Sequence, residues 1–251
     1  MKNALASFAI LGALLGLIIF GAAQINYTWQ WSEVPQYIAE YDEGEWFAGP
    51  LLWGLGETLK ICGTGLIFAL IGGLVLCVAR SSSIWSFRIP AALFFRCIRN
   101  SPMLVQLYVA YFILGPVLDI DRFWVAVVAL SVFHAAYLAP IYLSGFESIP
   151  KGQKEAAQSL GLLPIVIFFR ILLPQAIRIT LPACTNEAVN LIKNSALLSA
   201  IAIFEVVTEG KDIIADTFMS FEIWLAVGAL YLLVTIPLSS AALYLEKRLK
   251  A

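Results

Sequence analysis

The 251 residues are 61% hydrophobic and only 13% charged, and the mean hydropathy is +0.86. Too few charges remain to solvate a soluble domain of this length, so the chain is read as an integral membrane protein. A formal net charge of -1, with no single-sign block, leaves no basic excess for nucleic acid.

In chain order the first element is an apolar run at 4–23, behind Lys2 and closed by Gly21-Ala22-Ala23. It is longer than a usual signal core, so a retained span is expected over a cleaved secretory signal. Gly12 and Gly16 form a GxxxG pair of the kind that packs against another helix. Residues 24–49 carry Glu33, Glu40, Asp42, Glu43 and Glu45 without Lys or Arg, as suits an exported loop. Trp29, Trp31, Tyr41, Trp46 and Trp53 fit the interfacial aromatic belt there. Two segments are expected: 1–48, with the first span and the acidic loop, and 49–251, the main membrane unit.

Crossing the hydrocarbon core takes about twenty apolar residues. Further charge-free runs of that order lie at 61–79, 100–118, 123–146 and 223–245. A sixth crossing at 172–204 is long enough but carries Arg178, Glu187 and Lys193. Lys2, Arg80, Arg88, Arg96, Arg99, Lys151, Lys154, Arg170, Lys247, Arg248 and Lys250 fall on one side, with Arg122 and Lys211 on the other. Cytoplasmic loops hold the Lys/Arg excess, so both termini are expected inside the cell. Cys62, Cys77, Cys97 and Cys184 lack CxxC spacing and read as small buried hydrophobes. With His134 the single histidine, neither a histidine-based metal site nor a cofactor is expected.

Between 95 and 107 the sequence runs Phe-Arg-Cys-Ile-Arg-Asn-Ser-Pro-Met-Leu-Val-Gln-Leu. Pro102 prevents a regular helix start and Ser101 is placed to cap it, so the backbone there should be re-aimed. Between spans, 151–164 is a polar helix and turn. Glu155 is followed by Ala156 and Ala157, a narrow face that a partner's groove could approach closely, and Gly161 is free to take the left-handed turn that ends a helix.

In the sixth crossing an ionisable side chain at the helix centre costs on the order of 2.5–3.5 kcal/mol on insertion scales. Glu187 and Lys193 must therefore face protein or water. Glu187, Asn190 and Asn194, spaced i, i+3, i+7, share a stripe, whereas Lys193 is expected to point elsewhere. The stripe could line a polar path able to hold an ammonium group, or bond to neighbouring helices and hold the bundle together.

Three segments together resemble the permease subunits of bacterial ABC importers, in the branch serving polar amino acids (histidine, glutamate, glutamine, arginine, opines). The stretch 151–178, with Glu155-Ala156-Ala157, Gly161 and Leu173-Pro174, resembles the cytoplasmic coupling (EAA) loop at about 150–174. The stretch 95–107, with Ser101-Pro102 and Leu104-Val105-Gln106-Leu107, resembles the opening of a core span. The stretch 181–197, with Leu181-Pro182, Asn186-Glu187 and Lys193-Asn194, followed by Glu205, resembles the span after the coupling loop. Departures are Ser195-Ala196 where Thr-Ser is usual, and Ala136-Tyr137-Leu138-Ala139-Pro140, which lacks the family's acidic residue and following arginine.

The resemblance implies an all-α, five-helix type I permease core, here with one extra N-terminal transmembrane helix, in the bacterial cytoplasmic membrane. It implies that Glu155, Ala156, Ala157 and Gly161 couple to a separate ABC ATPase; on the reading of the polar stripe as a path, Asn186, Glu187 and Asn190, with Ser101 and Gln106, are the expected substrate-path residues. The implied partners are that ATPase, a periplasmic or surface substrate-binding protein, a second permease subunit (identical or related) and a polar amino acid. No GxxxxGK[ST] phosphate loop and no HExxH or GxSxG motif occurs, so neither nucleotide chemistry nor catalysis is expected of this chain. The alternative is a membrane scaffold or sensor that docks an ATPase without forming a transport path.

Overall fold

In a computed structural model the described residues are 12, 16, 21, 27–42 and 44–250. Apart from those isolated glycines, the expected first span lies outside them, and with it the question of a retained or cleaved segment; Glu43 does too. The described chain opens with an extended stretch and a helical turn, Val34–Ile38. A hairpin follows, β1 (Ala39–Asp42) paired antiparallel to β2 (Glu45–Ala48). This hairpin adds a small two-stranded sheet to a fold that is otherwise helical, as expected. Its register places Tyr41 opposite Trp46 on one face, and Glu40 opposite Phe47 and Asp42 opposite Glu45 on the other. That two-residue alternation cannot serve a helix. Gly44 turns the chain at φ +92°.

Helix α1 (Pro50–Ser81) starts well before its charge-free run, with Pro50 opening it, and carries Glu57 and Lys60, which pair at 3.4 Å. Helices α2 (Trp85–Arg99) and α3 (Met103–Leu118) are bent by 111° at the break between them. At 1.5 Å per residue α3 is about 24 Å long, short of a hydrocarbon core of about 30 Å. Taken together, the bent pair is apolar and long enough to count as one further candidate span. Then come α4 (Arg122–Glu147), the short α5 (Lys151–Ser159), α6 (Pro164–Ile201), α7 (Val206–Thr217) and α8 (Ser220–Lys250). Helices α1, α4, α6 and α8 are each long and apolar enough to span a membrane.

Helix α4 is the hub, packing along α1 and against α6, which in turn packs on α8. Small residues set the approach. A Cβ on Gly73 would stand 2.7 Å from Leu138 Cβ, and one on Gly145 would collide with Thr180 of α6. Close approach brings polar groups into reach of backbone. Ser131 Oγ donates to Gly65 O (3.0 Å) and Tyr142 OH to Leu70 O (3.2 Å), both joining α4 to α1.

The 100–102 break follows from its residues. Pro102 itself stands at the N-cap of α3, and no side chain caps that helix. Ser101, expected to cap forward, instead donates back to Cys97 O at 2.7 Å. The proline leaves no N–H to hold the first turn, so the hydroxyl satisfies the freed end of α2 instead. The cysteine expectation also needs amending: Cys62 and Cys77 are buried, Cys184 is half-buried and Cys97 is exposed.

At the end of the bundle near the hairpin, buried Glu205 accepts from Thr208 N (3.0 Å), capping α7, and from Tyr231 OH (3.3 Å) of α8. Glu222 accepts from Tyr27 OH (2.5 Å) and Gln30 N (2.7 Å), tethering the extended stretch to α8. Trp29 and Trp31 stack on one another there, and both are exposed, as are Tyr41, Trp46 and Trp53 of the expected aromatic belt.

Candidate functional site: a polar cavity and a coupling helix

Helix α5 ends as its sequence dictates. Gly161 N donates to Gln158 O (2.9 Å) and Leu162 N to Ala157 O (3.2 Å). These are the paired 5→2 and 6→1 bonds of a Schellman motif, which requires a left-handed residue at the first position beyond the cap. Gly161 takes it with φ +74°, and no atom lies within 4 Å of where its Cβ would be. Glycine is needed there for its backbone freedom and not for space.

The alanine pair divides. Ala156 is exposed, but Ala157 is 3% exposed and turned into the protein's own packing. Of the pair expected to present a docking face, Ala156 is thus the one open on the surface, while the last turn of α5, which holds Ala157, lies against the start of α6. Glu155 is exposed, and its carboxylate makes no hydrogen bond or ion pair among the described residues. A contact unanticipated in the sequence joins α5 to α6: Gln175 Nε2 donates to Gln153 Oε1 (2.7 Å) and to Ile171 O (2.8 Å). Ile171 belongs to a π-helical turn, Phe168–Leu172, just before Pro174.

A polar cavity of about 400 Å³ lies between α4 and α6, lined by Phe133, Tyr137, Glu187, Asn190, Lys193 and Asn194. Phe133 and Tyr137 sit one turn apart on α4 with ring centroids 4.9 Å apart. The guanidinium of Arg99, from α2, stands 5.0 Å from the Tyr137 ring centre. Glu187 is only 8% exposed. One of its oxygens, Oε1, meets Nδ1 of fully buried His134 at 2.6 Å, and the other, Oε2, accepts from Asn190 Nδ2 at 3.2 Å. Asn194 Nδ2 lies 3.4 Å from the far ring nitrogen of His134.

Glu187 and Asn190, two of the expected path residues, thus come together. Asn186 is exposed one position earlier on α6 and is not part of the lining. Ser101 and Gln106 are elsewhere, at the α2–α3 bend. There Gln106 Nε2 donates to Ile98 O (2.7 Å), Ser101 O (3.1 Å) and Ser101 Oγ (2.9 Å). Its Oε1 is buried without a partner among the described residues.

Lys193, expected to point away, lines the same cavity. It lies one i, i+3 step beyond Asn190, so the ridge from Glu187 through Asn190 runs on to it although Glu187 and Lys193 are not direct neighbours. His134 was missed as a partner. The available signal was its ionisable ring in the middle of an apolar span, where such a group must find protein or water.

A family model described as the binding-protein-dependent transport system inner membrane component matches residues 65–251. The chain is 36% identical over 203 residues to the arginine transport system permease protein ArtQ of Bacillus subtilis (strain 168), covering 80% of this chain and 93% of the relative. It is 37% identical over 209 residues to the glutamine transport system permease protein GlnP of Escherichia coli (strain K12), covering 82% and 95%. The octopine transport system permease protein OccM of Rhizobium radiobacter is 32% identical over 194 residues, covering 73% and 79%. Among solved structures, an amino acid ABC transporter crystallised with histidines superposes with a TM-score of 0.73 at 30% identity, covering 79% of this chain and 94% of that one. The inward-facing methionine ABC transporter MetNI, at 21% identity and a TM-score of 0.64, covers 79% and 95% and shares the fold.

Proposed function

Since the chain belongs to the family of binding-protein-dependent transport system inner membrane components, we propose that it is the permease subunit of an ABC importer carrying a polar amino acid. The observation that carries this reading is a polar cavity between α4 and α6 that brings the buried Glu187 carboxylate together with an ammonium and two amides. Buried charge is costly in a membrane and is kept where it meets a ligand or a path. Similarity to permeases for arginine, glutamine and octopine supports a substrate with an amino-acid head.

The rest of the complex follows from this assignment. An ATPase subunit supplies the nucleotide site and docks on α5 through exposed Glu155 and Ala156. Gly161 closes the helix, and Ala157 seats it against α6. When the ATPases close, α5 moves as a lever, and the Gln153–Gln175 bond passes the displacement into α6, which carries Glu187 and Asn190. Asn186 extends the path along α6, while Ser101 and Gln106 hold the bend at its border. A substrate-binding protein delivers to the outer surface around 27–49 and 206–222. A second permease subunit, identical or related, completes the path. The protein sits in the bacterial inner membrane with its C-terminus in the cytoplasm, and with the N-terminus there too if the first span is retained.

The test is reconstitution of permease, ATPase and binding protein in proteoliposomes. Amino-acid uptake dependent on ATP and on the binding protein is expected. An ATPase that binds firmly while no amino acid is taken up would instead identify a scaffold or sensor. A reporter after Lys250 should read cytoplasm and one near Asp42 the outside; a cytoplasmic signal at 42 would overturn the orientation.

A further inference from the structure

Helix α2 turns two unlike faces to its surroundings. Phe87 and Phe95, more than two turns apart on it, both meet α1 near residues 78–80: Phe87 shares a groove with Val78 and Ala79, and the Arg80 guanidinium stands 3.6 Å from the Phe95 ring centre. The helix thus crosses the end of α1 instead of running beside it, seated through buried Ala91 in a cluster with Leu76, Cys77, Ala136 and Ala139. This is the end of the bundle at which α4 gives way to α5.

At 3.6 residues per turn, Arg88, Arg96 and Arg99 share an arc of about 80°, and all three are exposed. Leu93, Phe94 and Cys97, exposed as well, lie on roughly the opposite side. A short helix with one basic and one apolar face, both left unpacked, has the form of a helix lying in a membrane interface. Exposed Trp85 at its start suits the same level.

The basic face has no partner of opposite charge. Arg88 and Arg96 make no hydrogen bond, ion pair or ring contact among the described residues. Arg99 lies 5.1 Å from the same Phe95 ring that carries Arg80, so two like charges are held near one another. No Asp or Glu occurs between Glu57 and Asp119, and Glu147 at the end of α4 pairs with none of the four arginines. Beside them an apolar groove of about 470 Å³ follows the exposed flank of α1, formed by Leu74, Val75, Val78, Ala79, Ser82 and Phe87. Phe87 closes the groove and Arg88 is the next residue, so the apolar and cationic surfaces adjoin.

We propose that α2 is an interfacial helix carrying a site for an anionic phospholipid, with the lipid phosphate on Arg88, Arg96 and Arg99 and an acyl chain in the groove along α1. Guanidinium groups suit phosphate oxygens through paired N–H donors. With no carboxylate beside them to receive a choline or ethanolamine amine, they select a lipid of net negative charge. On the orientation proposed above, the helix faces the cytoplasmic leaflet, whose surface is anionic. The site is separate from the polar cavity, and lipid binding there does not depend on what is transported.

The test uses the assembled permease–ATPase complex, delipidated in detergent and titrated with phosphatidylglycerol or phosphatidylcholine, with bound lipid counted by native mass spectrometry. Phosphatidylglycerol should bind at least about fivefold more tightly. Replacing Arg88→Gln and Arg96→Gln together should bring the two lipids within about twofold of each other. Lys247→Gln with Arg248→Gln removes the same charge from another exposed helix end and should leave the preference intact. Val78→Trp fills the groove and should weaken both lipids several-fold while keeping their ratio. All of these positions are exposed, and each variant is normalised to the complex recovered.

Equal binding of the two lipids to wild type would overturn the proposal, as it would if a partner subunit covered α2. An equal loss of preference in the Lys247 and Arg248 variant would reduce the site to diffuse surface charge. A Val78→Trp variant that binds as wild type does would remove the acyl groove. Displacement of the lipid by glycerol 1-phosphate, which has the head and no chain, would identify a soluble-phosphate site instead.

Discussion

Helix α5 and the α4–α6 cavity carry the polar chemistry of this chain in opposite ways. The end of α5 closes on itself: both Schellman bonds run between residues 157 and 162, and the glycine that permits them sits in open space. The cavity closes only across the fold, through a bond between positions 134 and 187 on different helices. A device of the first kind is robust to the rest of the protein and exposed to partners. One of the second kind exists only once two helices have taken their rotation and separation, so a change on either helix is felt on the other.

The largest expected effect tests the cavity side of this contrast. Glu187→Gln keeps the size and hydrogen-bonding capacity of the side chain but removes its charge. Uptake per assembled complex should fall at least tenfold while the ATPase still co-purifies. Unchanged uptake would reduce the His134–Glu187 pair to a bundle tie.

Next, the two alanines of α5 should behave differently despite being adjacent. Ala156→Trp should leave membrane abundance intact and lower ATPase recovery several-fold. Ala157→Trp overpacks a buried position, a change that costs about 1–3 kcal/mol, and should lower the abundance of the permease itself. Identical behaviour of the two would mean that Ala157 faces the partner after all.

A smaller effect is expected at Gly161. Forcing a branched side chain into the left-handed region costs roughly 1–2 kcal/mol, confined to one helix end. Gly161→Val should reduce ATPase recovery and substrate-stimulated ATP hydrolysis by a fewfold at matched abundance. Full recovery of both would show that the turn is dispensable for docking.

The smallest effect belongs to Glu205, which combines the two kinds of contact as a local cap for Thr208 N and a long-range partner of Tyr231. Burial pushes its carboxyl up to about 7. The folded protein thus holds this proton more tightly than the unfolded chain. The associated stability is fully present below the unfolded value, about 4.3, and is lost as pH rises through about 7. Between about pH 5 and pH 8 wild type should lose more thermal stability than Glu205→Gln, measured as melting of the purified complex. Parallel curves would mean that the carboxyl is solvated in the assembled protein.

Sequence alone determined whatever a dozen consecutive residues can encode. The apolar runs predicted the spans α1, α4, α6 and α8, because crossing hydrocarbon is a matter of local length and polarity; the run at 100–118 became α3, which is apolar but too short to cross alone. Pro102 marked the break between α2 and α3, and Gly161 marked the end of α5, because backbone freedom belongs to single residues. The alternating acids and aromatics of 39–48 were legible too, but as a period of two that was not read as strands. Glu187 was recognisable as a charge that could not face lipid; its partner was not. Tertiary structure alone decided that His134 meets Glu187, that Lys193 shares their cavity, and that Ala157 turns inward while Ala156 turns out. Those outcomes depend on how α4 and α6 are rotated and how closely they lie, which contacts such as Gly145 against Thr180 set at a distance in sequence that no local pattern spans.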